Sequence, residues 1–117
     1  MRREPEKYLH DIWVAGSRVQ QFVHKKDYSD YLKDELLRAG VERQFEIMGE
    51  ALNQLARVSP DMVASIPEYK RIIAFRNILI HGYADVDDAL VWGVVEGKLP
   101  GLMQAVSRLL DEKNEPK

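Results

Sequence analysis

The chain has 117 residues, 45% of them hydrophobic, which is the length of one domain with enough apolar surface for one core. Lys and Arg total 17 against 19 Asp and Glu, a formal charge of −2; this excludes a strongly basic polyanion binder, so any affinity for nucleic acid must come from a local patch. There is no cysteine, which removes disulfides, thiolate metal sites and cysteine nucleophiles together and suits a reducing cytoplasm.

The opening segment MRREPEKYLHD lacks the apolar core of a signal peptide. No run reaches the roughly 20 apolar residues of a membrane span, so a soluble cytoplasmic protein with no membrane association is expected. Sparse Pro and Gly, with almost no β-branched alternation, predict helices throughout. The first begins near Pro5 and sets Tyr8, Ile12, Ala15, Val19, Phe22 and Val23 on one stripe. His24, Lys25 and Lys26 close it as cations favoured near a helix C-terminus. After the short segment DYSDYLKD, a long helix is predicted from about Asp34 to Val58. Its apolar arc is Val41, Phe45, Met48, Leu52 and Leu55, with Ala51 and Ala56 at the margins. Gly49 lies at the edge of that arc, either a point of close backbone approach or a tolerated glycine.

Ser59 and Pro60 read as the N-cap and first turn of a short third helix ending at Pro67. A fourth runs from about Glu68 to His81, and Asp85, Asp87 and Asp88 open a fifth, with Asp85 able to cap it. The aspartates lack the glycine and distal glutamate of a calcium loop, and no metal site is expected. Pro100 turns the chain into a last helix with Leu99, Leu102, Met103, Val106 and Leu109 on one face; DEKNEPK is a frayed tail, at least over 113–117. No internal repeat or linker interrupts residues 1–112, and the whole reads as an all-α, up-and-down bundle with short additional helices.

Polar residues interrupt the apolar fourth helix. At 100° per residue Arg76 falls between Ile72 and Ile80, where a guanidinium requires an ion pair, an aromatic stack, or a surface shared with a ligand or another chain. Glu42, Glu46 and Glu50 form a ladder on the polar side of the long helix, and Glu46 or Glu50 is the candidate partner. Asn77 and His81, four residues apart, share a face, so Asn77 can orient the imidazole. Gly82 is the expected left-handed residue after the helix, placing His81 at the C-cap and Tyr83 back over Ile78. His81 has a purely structural reading as well, a cation at the negative end of the helix dipole. From Tyr69 to Tyr83 no carboxylate occurs, and Tyr69, Lys70 and Arg71 extend a basic strip bordered by aromatics, as single-stranded RNA binding uses.

The stretch RNILIHGY resembles the R-x-x-x-x-H-x-Y motif of the HepT-like toxins of the HEPN superfamily, with Arg76, His81 and Tyr83 at the family's spacing and Asn77 following the arginine. VERQFEIMGEAL (41–52) is similar to the family's long-helix signature, and VW at 91–92 with LPGL at 99–102 to its closing segment. The resemblance implies a HEPN helical bundle that dimerises with both motifs facing one cleft. It implies a metal-independent endoribonuclease needing no cofactor, with His81 transferring protons and Arg76 stabilising charge at the scissile phosphate. It further implies a type II toxin–antitoxin system, in which a minimal nucleotidyltransferase antitoxin adenylylates Tyr83 to O-AMP-tyrosine. Some HEPN domains are noncatalytic nucleotide- or partner-binding modules, the alternative expectation.

Overall fold

The computed structural model describes residues 4–82 and 86–114. Seven helices follow in order: α1 (Glu4–Phe22), α2 (Tyr28–Lys33), α3 (Glu35–Val58), α4 (Pro60–Ala64), α5 (Tyr69–His81), α6 (Asp88–Gly97) and α7 (Leu99–Asn114). No strand occurs among the described residues, and no described helix is long and apolar enough to cross a membrane.

The long helix α3 is the axis. Its predicted arc of Val41, Phe45, Met48, Leu52 and Leu55 is fully buried. One side of α3 meets α1, the other α5, while α7 closes over α1. From α1 come Leu9, Ile12, Ala15 and Val19, and from α7 Leu99, Leu102, Met103 and Val106. Phe45 of α3 meets Phe75 of α5 edge-on, with ring centroids 5.2 Å apart. Burying each such side chain is worth about 1.5–3 kcal/mol, so this contiguous apolar cluster holds the bundle together.

Four local features differ from the sequence reading. The segment DYSDYLKD is largely a helix: Asp27 and Asp30 form a reciprocal capping box (2.9 and 3.0 Å), nucleating α2. That turn buries Tyr31 completely, its ring 5.3 Å from that of Trp92 in α6. Ser59 precedes α4 but makes no side-chain cap, and the helix stops at Ala64, before Pro67. The cap of α6 is Asp87, which accepts from the amides of Ala89 and Leu90; Asp85 lies outside the described residues. Finally α7 continues through Asn114, so most of DEKNEPK is helical, and 115–117 are outside the description.

Candidate active site

Among the contacts that position helix α5 against α3, one is permitted only by a glycine. Gly49 of α3 is buried against α5, and a Cβ there would collide with the Cβ of Arg76, lie 2.8 Å from its Cγ and 3.3 Å from the Ile72 carbonyl oxygen. The missing side chain lets the root of Arg76 rest on the α3 backbone. Of the two readings of Gly49, close approach is the one the structure shows.

From that root the guanidinium reaches back along α3. Arg76 Nη2 lies 2.9 Å from Glu50 Oε1, and its Nη1 donates to Asn77 Oδ1 at 3.0 Å. Glu50 is steadied from behind by Gln54 Nε2, which donates to its other oxygen at 2.9 Å. Glu46, the other candidate partner, pairs with Arg43 on its own helix (3.2 Å). The Arg76 and Glu50 side chains remain 26% and 46% exposed, and exposed pairs are worth about 0–1 kcal/mol. This pair therefore contributes little stability; its effect is to hold a guanidinium in one orientation.

Asn77 thus serves a different neighbour from the one the i, i+4 spacing suggests. Its carbonyl oxygen accepts a hydrogen bond from Arg76, and no hydrogen bond joins it to His81 among the described residues. His81 is the last residue of α5 and is exposed. Gly82 is the C-cap, but with φ −110° and ψ 34° it is not left-handed; its N–H donates to the Ile78 carbonyl at 2.7 Å, closing the helix with one ordinary bond. Tyr83 lies outside the described residues, as does its expected packing on Ile78.

Five residues of helix separate Arg76 from His81 by about 7.5 Å of rise and about 140° of rotation. Arg76 accordingly lines a groove of about 310 Å³ between α1 and α5, and His81 is not among the residues that form it. Within one chain the two groups flank the end of α5 rather than share a pocket. In the arc between them lie Asn77 and Ile80, the latter lining the groove, while the exposed Ile78 lies beyond His81 on the other side of the helix.

The expected basic strip does not persist along α5. Glu68, just outside the carboxylate-free stretch, sits in left-handed backbone (φ 65°) and pairs with both Arg71 (3.2 Å) and Lys98, the C-cap of α6 (3.6 Å). Tyr69, Lys70 and Arg71 surround a separate hollow at the N-terminal end of the helix, some 15 Å of helical rise from His81. A linear scan sees adjacent cations; the helix turns them away and the neighbouring glutamate neutralises one.

Sequence reasoning missed a second polar cluster, at the start of α6. Arg38 of α3 approaches Asp88 (Nε to Oδ2 3.9 Å) and donates to the carbonyls of Tyr31 (3.3 Å) and Leu32. Burial, reinforced by repulsion from Asp88 and Glu46, raises the carboxyl pKa of Glu42 above its ordinary value, and Arg38 offsets part of this. Burial likewise pushes the Tyr31 phenol upward, and its hydroxyl has no hydrogen-bond partner among the described residues. The aspartates were legible only as caps; their meeting with α3 depends on tertiary packing.

Comparison with known proteins gives the family of the chain. Residues 14–109 match the family model described as "Ribonuclease HepT-like". The chain is 30% identical over 105 residues to "Putative RNase MJ1380" of Methanocaldococcus jannaschii, covering 90% of this chain and 95% of that protein. It is 29% identical over 109 residues to "Probable ribonuclease HepT" of Thermococcus cleftensis, covering 93% and 98%. A third relative, "Gamma-glutamylcyclotransferase and putative RNase MJ0434" of M. jannaschii, is 29% identical over the whole chain, which spans 52% of it. No solved structure matches. With the motif residues, the α-helical bundle and a match covering most of the sequence in agreement, the chain belongs to the ribonuclease HepT-like family of the HEPN superfamily.

Proposed function

We propose that the protein is a metal-independent endoribonuclease whose reaction is carried by His81 and Arg76. The observation that carries this reading is a guanidinium fixed by Glu50 and Asn77, one helical turn and a half before an exposed imidazole at the end of the same helix. Histidine, which titrates near neutrality, removes the proton of a ribose 2′-hydroxyl. The resulting oxygen attacks the adjacent phosphorus, the bond to the 5′-oxygen breaks, and that oxygen takes a proton as it leaves. The products are a 2′,3′-cyclic phosphate and a 5′-hydroxyl. Arg76 donates to the equatorial oxygens of the crowded phosphorane, where charge accumulates, and its prior fixation avoids reorganisation during the step.

Because one chain sets the two groups about 140° apart around α5, the complete site is a homodimer in which two copies of the helix end enclose one strand. The half-exposed Ile78, one turn before His81 and about 60° from it around α5, gives that contact an apolar element. The test is cleavage of single-stranded RNA by purified protein in EDTA. His81→Ala, remaining folded and dimeric, is expected to abolish it, and substituting deoxyribose at the cleaved position is expected to block it. Cleavage that persists in His81→Ala removes this assignment and points to another site or a contaminating nuclease, whereas no cleavage by the folded wild type leaves a noncatalytic HEPN module as the reading of the fold.

Regulation is proposed from the resemblance to the HepT-like toxins, on whose motif tyrosine Tyr83 falls. A nucleotidyltransferase antitoxin transfers AMP from ATP to the Tyr83 phenol oxygen, releasing pyrophosphate, in a toxin–antitoxin pair. A bulky anionic phosphodiester two residues beyond His81 would repel the RNA backbone. Co-expression with the partner is expected to add the mass of one AMP to wild type and none to Tyr83→Phe. Equal labelling of the two proteins excludes Tyr83 as the acceptor.

A further inference from the structure

The groove beside Arg76 has a composition that phosphate binding does not explain. Three ion pairs line it: Lys7–Asp11 (3.2 Å), Arg43–Glu46 (3.2 Å) and Arg76–Glu50 (2.9 Å). These six charges cancel, so the groove offers no net attraction to a bare polyanion. What it offers is donors alternating with acceptors around an apolar interior that includes Ile47, Ala51 and Ile80. Asp11 and Glu46 each use one carboxylate oxygen, leaving Asp11 Oδ1 and Glu46 Oε2 without a hydrogen bond among the described residues. A carboxylate with a free oxygen at a groove edge is a receptor for an N–H donor.

Tyr8 supplies the remaining element. It is half-buried against the core, and the Lys7 ammonium stands 4.9 Å from its ring centroid. Lys7 is 66% exposed, so the ring face beneath it is reachable from solvent once that flexible side chain swings aside. An aromatic ring covered only by a flexible lysine, an apolar floor, carboxylate oxygens bonded to no protein donor among the described residues and about 310 Å³ of space match a nucleoside, whose π-face stacks and whose edge donates. Among the bases, guanine presents a ring N–H beside an exocyclic amino group, two adjacent donors that one carboxylate can accept together. Uracil presents mostly acceptors, which these carboxylates repel.

We propose that the α1–α3–α5 groove is a nucleobase subsite that takes an unpaired guanine nucleoside of the RNA strand. The base stacks on Tyr8 and donates to Glu46, while the adjoining phosphate meets Arg76. Its role in cleavage rests on the ribonuclease reading; the binding itself does not.

The experiment titrates the full-length protein with 5′-GMP and 5′-UMP, following binding by NMR shifts and calorimetry, in wild type and in His81→Ala. GMP is expected to bind at least about tenfold more tightly than UMP in both. Glu46→Gln should weaken GMP about tenfold and leave UMP unchanged, while Tyr8→Leu, which keeps the buried bulk, should weaken both nucleotides about tenfold. In cleavage assays the two variants should raise KM with kcat altered less than about twofold and lose any guanine preference at the cut. Equal binding of GMP and UMP, or GMP binding indifferent to Glu46→Gln, overturns the proposal. Should Tyr8→Leu not fold, Glu46→Gln on the rim of α3 decides alone. GMP binding in a protein that cuts no RNA sinks the nuclease reading and upholds the subsite.

Discussion

Two glycines sit at helix crossings, and the neighbours they face make them opposites. Gly16 of α1 would meet the end of the Met103 side chain, with Cε 3.1 Å away and Leu99 Cδ1 at 3.5 Å. Gly49 of α3 would meet the Cβ and Cγ of Arg76 and the carbonyl of Ile72. A thioether tail can rotate, whereas a side-chain root and a backbone carbonyl move only with their helix. The α1–α7 seam is therefore an adaptable packing contact, and the α3–α5 seam fixes the position of the proposed catalytic arginine.

Gly49→Ala tests the second seam most severely. The added methyl must push α5 from α3, an overpacking cost of about 1–3 kcal/mol, and it displaces Arg76 from Glu50 in the same movement. A fall in melting temperature together with at least about a hundredfold loss of RNA cleavage is expected. Retention of both would show that the crossing is loose. Glu50→Gln separates position from packing: it keeps the shape and removes the charge that holds the guanidinium. Stability should change by less than about 1 kcal/mol, while kcat falls about tenfold and KM changes little. The contrast with Glu46→Gln, which is expected to raise KM instead, assigns different work to two rungs of one glutamate ladder.

The contrast between seams also explains what could be read from the chain beforehand. Periodicity identified the centre of the buried face of α3 but not Leu37 or Gln44, because Val41, Phe45, Met48, Leu52 and Leu55 obey a rule internal to one helix. The wheel of the fourth helix put Arg76 among apolar neighbours and so demanded a partner, an aromatic stack or a shared surface, and the glutamate ladder of the long helix offered Glu46 and Glu50 as candidates. Which glutamate, and why glycine at 49, depended on the crossing of α3 and α5, information no single helix contains. Asn77 and His81 show the opposite failure: i, i+4 spacing made a bond plausible, but the amide found a nearer cation in Arg76. The basic strip failed similarly, since Glu68 lay one residue outside the stretch scanned.

Gly16→Ala is the control for the adaptable seam. Met103 can rotate away, and alanine gains about 1 kcal/mol of helix propensity over glycine, which offsets the repacking. Melting temperature should shift by less than the equivalent of about 1 kcal/mol, with RNA cleavage unchanged. A loss comparable to that of Gly49→Ala would erase the distinction between the two crossings.

The smallest effect is expected one rung earlier on α3, where Glu42 meets neither Arg76, as Glu50 does, nor an arginine three residues before it, as Glu46 does. Its carboxyl pKa is raised by burial, then by Asp88 of α6 and Glu46 of its own helix, with Arg38 opposing and the high-pKa Tyr31 phenol neutral beside it. A folded-state pKa above the unfolded value means that the native protein holds this proton more tightly. Glu42 therefore costs stability at pH above its raised value, and the cost disappears as pH falls toward the ordinary glutamate range near 4.5. Glu42→Gln should stabilise the fold at neutral pH by less than about 1 kcal/mol, since solvent reaches the group. The gain should shrink as the solution is acidified to about pH 4.5. Unfolding curves of both proteins at the two pH values measure it; a gain that grows on acidification would mean that Glu42 is held ionised by Arg38, and that this end of α3 is a stabilising ion pair after all.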